Sequence, residues 1–231
     1  VDLGRVQQAA VECFAARGFA ATGIRELGAA AGINSATLYH YTGSKEDLLV
    51  RIMRSCLEAM IDSGSAAVRR SAEPTIQLGA IVASHVGFTA TNPLTSRVAE
   101  HEMRALGTEN RRAMQRLRDE YEALFSLVVE RGLRVGDFAT DDATMARLAL
   151  MEMGTGVAHW FRADGRLTLA EVQGYFVNMA CKILSADHTL LDGVDYIGKP
   201  AVLGSEPAPH STGVHAYSSR TPDRKEEMCN D

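Results

Sequence analysis

The sequence predicts an all-α protein, with a group of short to medium helices at the N-terminus followed by a bundle of longer ones. Three observations carry the fold class. Apolar residues recur at helical spacing almost throughout, as in Val6, Ala9, Ala10, Cys13 and Phe14. No alternating β-branched run closed by an Asn-Gly or Asp-Gly turn occurs. Ser, Thr and Asn stand at candidate helix starts, and Gly at candidate stops.

In chain order, "GRVQQAAVECFAAR" forms the first helix and Gly18 stops it. "TGIRELGAAAG" forms the second, with Thr22 as N-cap and Gly32 as terminator. "NSATLYHY" forms the third, capped by Asn34. The fourth starts at Ser44 with two acids in its first turn, which suits the helix dipole, and runs as a linking helix over about 45–72. Pro74 and Pro93 bracket "TIQLGAIVASHVGFTAT". Four further segments follow, for about nine helices in all. "ATMARLALMEMGTGVAHWFRA" reads as one continuous helix, apolar on more than one face. From about Asp187 periodicity gives way to Pro, Gly and Ser, so 188–231 is expected to be a disordered tail. The expected domains are 1–54 and 73–187.

Composition excludes several function classes. No apolar run approaches the roughly 20 residues of a membrane span. The N-terminal stretch lacks the basic-then-apolar pattern of a signal peptide, so a cytoplasmic protein is expected. Cys13, Cys56, Cys181 and Cys229 form no C-x-x-C pair and have no His at zinc-ligand spacing. No metal, cofactor or catalytic residue is therefore expected. The net charge is −5, and residues 1–54 carry six Lys/Arg against five acids. Any nucleic-acid affinity must then come from a few well-placed groups, not from bulk charge.

Residues 24–41 have the anatomy of a DNA reader. Gly32 supplies the turn, Ile33 plugs the core beneath it, and Gly28 lies where the two helices cross. Asn34 opens a recognition helix whose N-terminal residues enter the major groove. Ser35, Ala36 and Thr37 are small, and the Ser35 and Thr37 hydroxyls suit base edges or phosphate. Tyr39, His40 and Tyr41 suit phosphates at the flank; the alternative for the two tyrosines is a core or rim aromatic. Lys45, Thr22 and Arg25 are further phosphate candidates, at the starts of neighbouring helices.

The stretch "AAVECFAARGFAATGIRELGAAAGINSATLYHYTGSKEDLL" resembles the N-terminal domain of TetR-type transcriptional regulators over about fifty residues without a gap. The resemblance rests on Phe14, Gly18-Phe19, Thr22, Ala31-Gly32-Ile33, Thr37-Leu38-Tyr39 and Ser44-Lys45-Glu46. Two positions depart: Thr42 stands where the family usually has Phe, and Ala36 where it has Gly. The resemblance implies a repressor bound to palindromic double-stranded operator DNA and released by a small-molecule effector. It also implies a homodimer through the last two helices. In this chain those offer Gly154, Gly156, Val172, Tyr175, Phe176, Met179 and Ile183.

"HEMRALGTENRRAMQRLRDEYEALF" and "WFRADGRLTLAEV" are similar, more loosely, to actinobacterial TetR regulators of lipid and steroid catabolism that sense acyl-CoA thioesters. Residues 97–118 carry six Arg against three Glu, which suits an anionic ligand or a solvated helix face. The expected pocket lining is Phe88, His101, Met103, Tyr121, Phe125, Met151 and Trp160; each is also an ordinary core type.

Two other readings compete. Tyr41-x-x-x-Lys45 has the spacing of a dehydrogenase proton relay, but "GTGVAH" is no dinucleotide fingerprint and follows no strand. "HEMRA" starts like a zinc-protease motif and lacks the second His. The other rival is a helical interaction module that has lost DNA binding, favoured by Thr42.

Overall fold

A computed structural model describes residues 2–198 and 200–204. Among them lie ten α-helices and no strand. α1 (Leu3–Arg17), α2 (Ile24–Ala31), α3 (Ser35–Thr42) and α4 (Lys45–Val68) come first. α5 (Pro74–Thr91), α6 (Pro93–His101), α7 (Thr108–Val135), α8 (Ala143–Thr155), α9 (Val157–Trp160) and α10 (Leu169–Ile183) follow. None is long and apolar enough to cross a membrane.

Local chemistry sets the boundaries. Asp2 accepts the first free N–H groups of α1, and Gly18 leaves that helix at φ 82°. At α4, Ser44 Oγ accepts the Asp47 N–H at 3.0 Å while the Asp47 carboxylate accepts the Ser44 N–H at 2.8 Å. The linking helix ends at Val68, short of the expected 72. Thr22 is not the cap of α2. That helix begins after Gly23, whose N–H bonds Glu26, and the Thr22 hydroxyl turns inward to the Gly18 carbonyl at 2.8 Å. The continuous helix expected through Trp160 breaks at Gly156, giving α8 and the single turn α9.

α5 is the axis of the bundle. Fifteen of its eighteen residues are buried, so it needs neighbours on every side. α4, α7, α8 and α10 supply them. Its buried Gln77 donates to the Val68 and Ser71 carbonyls, both at 2.9 Å. Gln173 of α10 donates to the Ala83 carbonyl at 2.8 Å, so these amides cost little to bury.

Two apolar clusters fill the interior. The first joins Phe14, Leu27, Leu38 and Leu48 to Phe88, Val98, Leu106 and Met114. The second gathers Leu78, Ile81, Tyr121, Phe125, Leu150 and Val177. Each fully buried Leu or Phe contributes roughly 1.5–3 kcal/mol relative to exposure. The first cluster draws on α5, α6 and α7 as well as α1–α4, so the packing does not divide at residue 54.

The expected disordered tail fails at its start. His188–Leu191 forms a 3-10 turn, and Tyr196 and Ile197 pack on the second cluster. Asn92, wholly buried, then holds the chain from both sides. Its Nδ2 donates to the Ala201 carbonyl at 2.8 Å and its Oδ1 accepts the Leu203 N–H at 2.7 Å. Low sequence periodicity hid this because an extended strap packs through scattered residues. The remainder of the expected tail lies outside the described residues.

Candidate functional site

The α2–turn–α3 unit is fixed from inside. Gly32 adopts φ 71°, which favours glycine. A Cβ on Gly28 would lie 2.8 Å from the Ile33 carbonyl, so only glycine lets the turn backbone approach. Asn34 Oδ1 accepts the Thr37 N–H at 2.8 Å. Leu27 and Leu38 are fully buried and set the rotation of both helices.

That rotation leaves a polar outer face. Arg25, Asn34, Ala36, Tyr39, His40 and Tyr41 are exposed, and Ser35 and Thr37 are half-exposed. Tyr39 is 51% and Tyr41 42% accessible, too open for core aromatics. The His40 and Tyr41 rings meet edge-on at 5.1 Å. Ala36 places its methyl on this face.

Three residues of the stretch behave differently. Lys45 Nζ donates to the Phe19 carbonyl at 2.8 Å and the Thr22 carbonyl at 2.9 Å, and sits 4.1 Å from the centre of the Phe19 ring. It clamps the α1–α2 turn to the start of α4, with one of its three donors left over. The Tyr41–Lys45 pairing of a proton relay is not made. Thr22 offers no side chain to a phosphate, because its hydroxyl is buried and bonded. Thr42, where the resemblance expects Phe, is 2% exposed and donates to the Leu38 carbonyl at 2.8 Å. The smaller side chain is thus packed and satisfied.

A cavity of about 210 Å³ opens between α4, α5, α6, α7 and α8. Its floor is a buried network. His85 Nδ1 lies 3.0 Å from Tyr121 Oη, and His85 Nε2 lies 3.0 Å from the Met151 carbonyl. A carbonyl only accepts, so Nε2 carries the proton and Tyr121 donates to Nδ1. Burial pushes His85 down to about 4, partly opposed by its bond to Met151, so the ring is neutral at pH 7. Burial raises the Tyr121 phenol in the same way. Thr89 Oγ1 donates to the Gly154 carbonyl at 3.0 Å. A Cβ on Gly154 would lie 2.2 Å from the His85 ring, so this glycine admits the close approach of α5.

Polar side chains stand within a mainly apolar cavity wall. Glu100, Gln115, Arg118, Glu122 and Glu152 line it. Arg118 Nη2 donates to the Ala99 carbonyl at 2.5 Å. Burial lowers the Arg118 pKa, while Glu100 and Glu152 oppose that shift. Glu122 pairs with Arg147 across α7 and α8. Ser96 lines the same space, and its buried Oγ has no hydrogen-bond partner among the described residues.

Of the seven residues expected to line the pocket, Tyr121 and Met151 do so. Phe125 packs edge-on to His85 at 5.7 Å, behind the floor. Phe88 belongs to the first apolar cluster and Met103 packs against it. Trp160 is 51% exposed and stacks on Phe176. His101 lines a different hollow, against α1. Sequence reasoning missed His85, Thr89 and Ser96. A usable signal existed for the first two: polar residues one turn apart within a strongly apolar helix.

The presumed seam splits. Val172 is buried within the protomer, and Phe176 and Ile183 are half-buried. Tyr175 and Met179 of α10 face outward with Met145 and Leu148 of α8.

Comparison with known proteins agrees with this architecture. Residues 7–52 match the family model described as bacterial regulatory proteins, tetR family. Residues 71–184 match the model described as tetracyclin repressor-like, C-terminal domain. The HTH-type transcriptional repressor KstR2 of Rhodococcus jostii is 26% identical over 181 residues, covering 78% of this chain and 89% of that protein. A solved regulatory protein of the tetR family from Rhodococcus RHA1 is 26% identical, with a TM-score of 0.75 over 81% of this chain and 100% of that one. AibR, solved with isovaleryl coenzyme A and operator DNA, shares the fold at a TM-score of 0.68 and 23% identity, over 75% and 95% of the two chains.

Proposed function

The chain belongs to the TetR family of bacterial transcriptional regulators, and on that premise we propose that it is a homodimeric repressor released from operator DNA by an effector held in the α4–α8 cavity. It is a DNA-binding regulator and not an enzyme, as its family dictates. One observation carries the coupling. α4 starts in the DNA-binding head, where Lys45 clamps the α1–α2 turn, and lines the cavity eleven to fifteen residues later at Cys56, Leu57 and Met60. A ligand that moves this wall moves the head.

Arg25, Asn34, Ser35, Ala36, Thr37, Tyr39, His40 and Tyr41 are the groups we assign to DNA. Ser35 and Thr37 reach base edges and the aromatic tips reach phosphate. Lys45 keeps one donor for a phosphate, while Thr22 acts through its backbone by anchoring Lys45. Met145, Leu148, Tyr175 and Met179 form the apolar face for a four-helix seam with a second copy. Two-fold symmetry then matches a palindromic operator.

The effector reading is an acyl-CoA or related lipid or steroid catabolite. AibR's complex with isovaleryl coenzyme A supports it, as does the similarity to KstR2. The cavity, at about 210 Å³, is smaller than the several hundred Å³ of typical ligand pockets, so it takes the acyl end and leaves the nucleotide outside. We assign the Ser96 hydroxyl, which bonds no described residue, and Arg118 to a thioester carbonyl or a neighbouring oxygen.

The test is a titration of the full chain with its own promoter DNA against a panel of acyl-CoAs. A true effector lowers operator affinity, and operator lowers effector affinity by the same factor. An effector whose affinity is unchanged by saturating operator overturns the coupling.

A further inference from the structure

The break at Gly156 has a second result besides ending α8. It turns α9 against α6 and brings His159 beside Glu100 and His101. His159 Nε2 lies 3.2 Å from Glu100 Oε2, and His101 Nε2 lies 3.6 Å from the same oxygen. The ligand atoms of all three lie within 4.8 Å of one another, and the two imidazole centroids are 5.4 Å apart.

The two histidine–carboxylate separations are close to those between neighbouring ligands of a coordination polyhedron. Zinc–nitrogen and zinc–oxygen bonds of about 2.0–2.2 Å place neighbouring ligands of a tetrahedron roughly 3.3–3.6 Å apart. Imidazole nitrogens with one carboxylate suit borderline divalent ions, not calcium or magnesium. We propose that Glu100, His101 and His159 form a binding site for a divalent transition-metal ion of the zinc, cobalt or nickel type, joining α6 to α9.

The surroundings fit. Both histidines border a hollow of about 270 Å³ against α1, which leaves an open position for water or an exogenous ligand. Arg97 and Glu102 line that hollow too, so the cation that opposes the metal is offset by a carboxylate. Glu102 also accepts the Phe19 N–H at 3.0 Å, which ties this corner to the DNA-binding head. Glu100 faces both ways, because it also lines the effector cavity. An ion held here fixes one wall of that cavity to α9. The proposal does not rest on the effector's identity.

The test uses the metal-stripped full chain, titrated with Zn²⁺ against a chromophoric chelator and, separately, with Co²⁺ followed by its visible d–d absorption. One ion per chain binds, and zinc raises the thermal midpoint. His101→Gln and His159→Gln each weaken binding by more than about tenfold, since loss of even an outer-shell partner costs that much. The double variant His210→Gln/His215→Gln, outside the described residues, binds as the natural chain does. His159→Cys keeps the ion and adds a thiolate-to-Co²⁺ charge-transfer band, which a merely structural histidine would not produce. No saturable binding in the natural chain overturns the proposal. So does zinc affinity that survives His101→Gln/His159→Gln, or that vanishes in the His210/His215 variant.

Discussion

The outer face of α3 and the floor of the cavity both present polar groups, held in opposite states. On α3, Tyr39, His40 and Tyr41 stand in solvent. In the cavity, His85, Tyr121 and Thr89 are buried and already bonded to one another or to backbone. The difference teaches where each region's selectivity comes from. Solvated groups are free to meet phosphates and bases on many sequences, so placement decides. Buried, paired groups penalise any ligand that breaks their bonds without replacing them.

Acid is the strongest means of breaking this contrast. His85 is held near 4 against an ordinary value near 6.5, so it resists the proton that the unfolded chain accepts. Its neutral form therefore supports the fold fully above about pH 6.5, and that stability is lost as pH falls from there toward 4. Denaturant unfolding of the natural chain should lose about 3 kcal/mol more across that window than His85→Gln, which does not titrate. Equal losses would show that the floor is already hydrated.

Next comes Gly154→Ala. Its methyl must displace the His85 ring, so the thermal midpoint should fall by the equivalent of about 1–3 kcal/mol. Removing the clamp with Lys45→Met should cost about 1–2 kcal/mol, because both carbonyl bonds are lost and water replaces them only in part. It should weaken all operator sequences together, with the salt dependence flattened by about one unit if the spare donor also meets a phosphate. Smallest in stability is Thr37→Ala, expected within about 0.5 kcal/mol because only its backbone is used by the cap. It should instead change base preference at one or two positions in a binding-site selection. A Thr37→Ala protein with natural preferences would move the reading to other residues of α3.

The two regions also differ in how far the sequence disclosed them. Gly28, Gly32, Asn34 and Ser44 act within a few residues of themselves, so the order of the first four helices and the turn could be read from local chemistry. Gly23 displaced Thr22 as the start of α2 because the Thr22 side chain is buried in the core, with its hydroxyl bonded to the Gly18 carbonyl, and that burial depends on tertiary packing. The cavity depends on packing entirely. Phe88, Phe125 and Trp160 are the right residue types, yet helix rotation sends the first two into the core and the third to the surface. The space left is lined by Thr89, Ser96 and Gln115, which the eye takes for surface positions. The histidines of α6 and α9 stand 58 positions apart, beyond any spacing rule for metal ligands.

The strap along α5 bears on how this protein tolerates being cut. The C-terminal family match ends at residue 184, an inviting place to shorten the chain. Doing so removes Leu191, which touches the bare backbone of Gly79, and leaves both ends of the Asn92 amide short of a strap partner at the end of α5. The safe end for a trimmed protein is at or beyond Gly204, past the last backbone group that Asn92 holds.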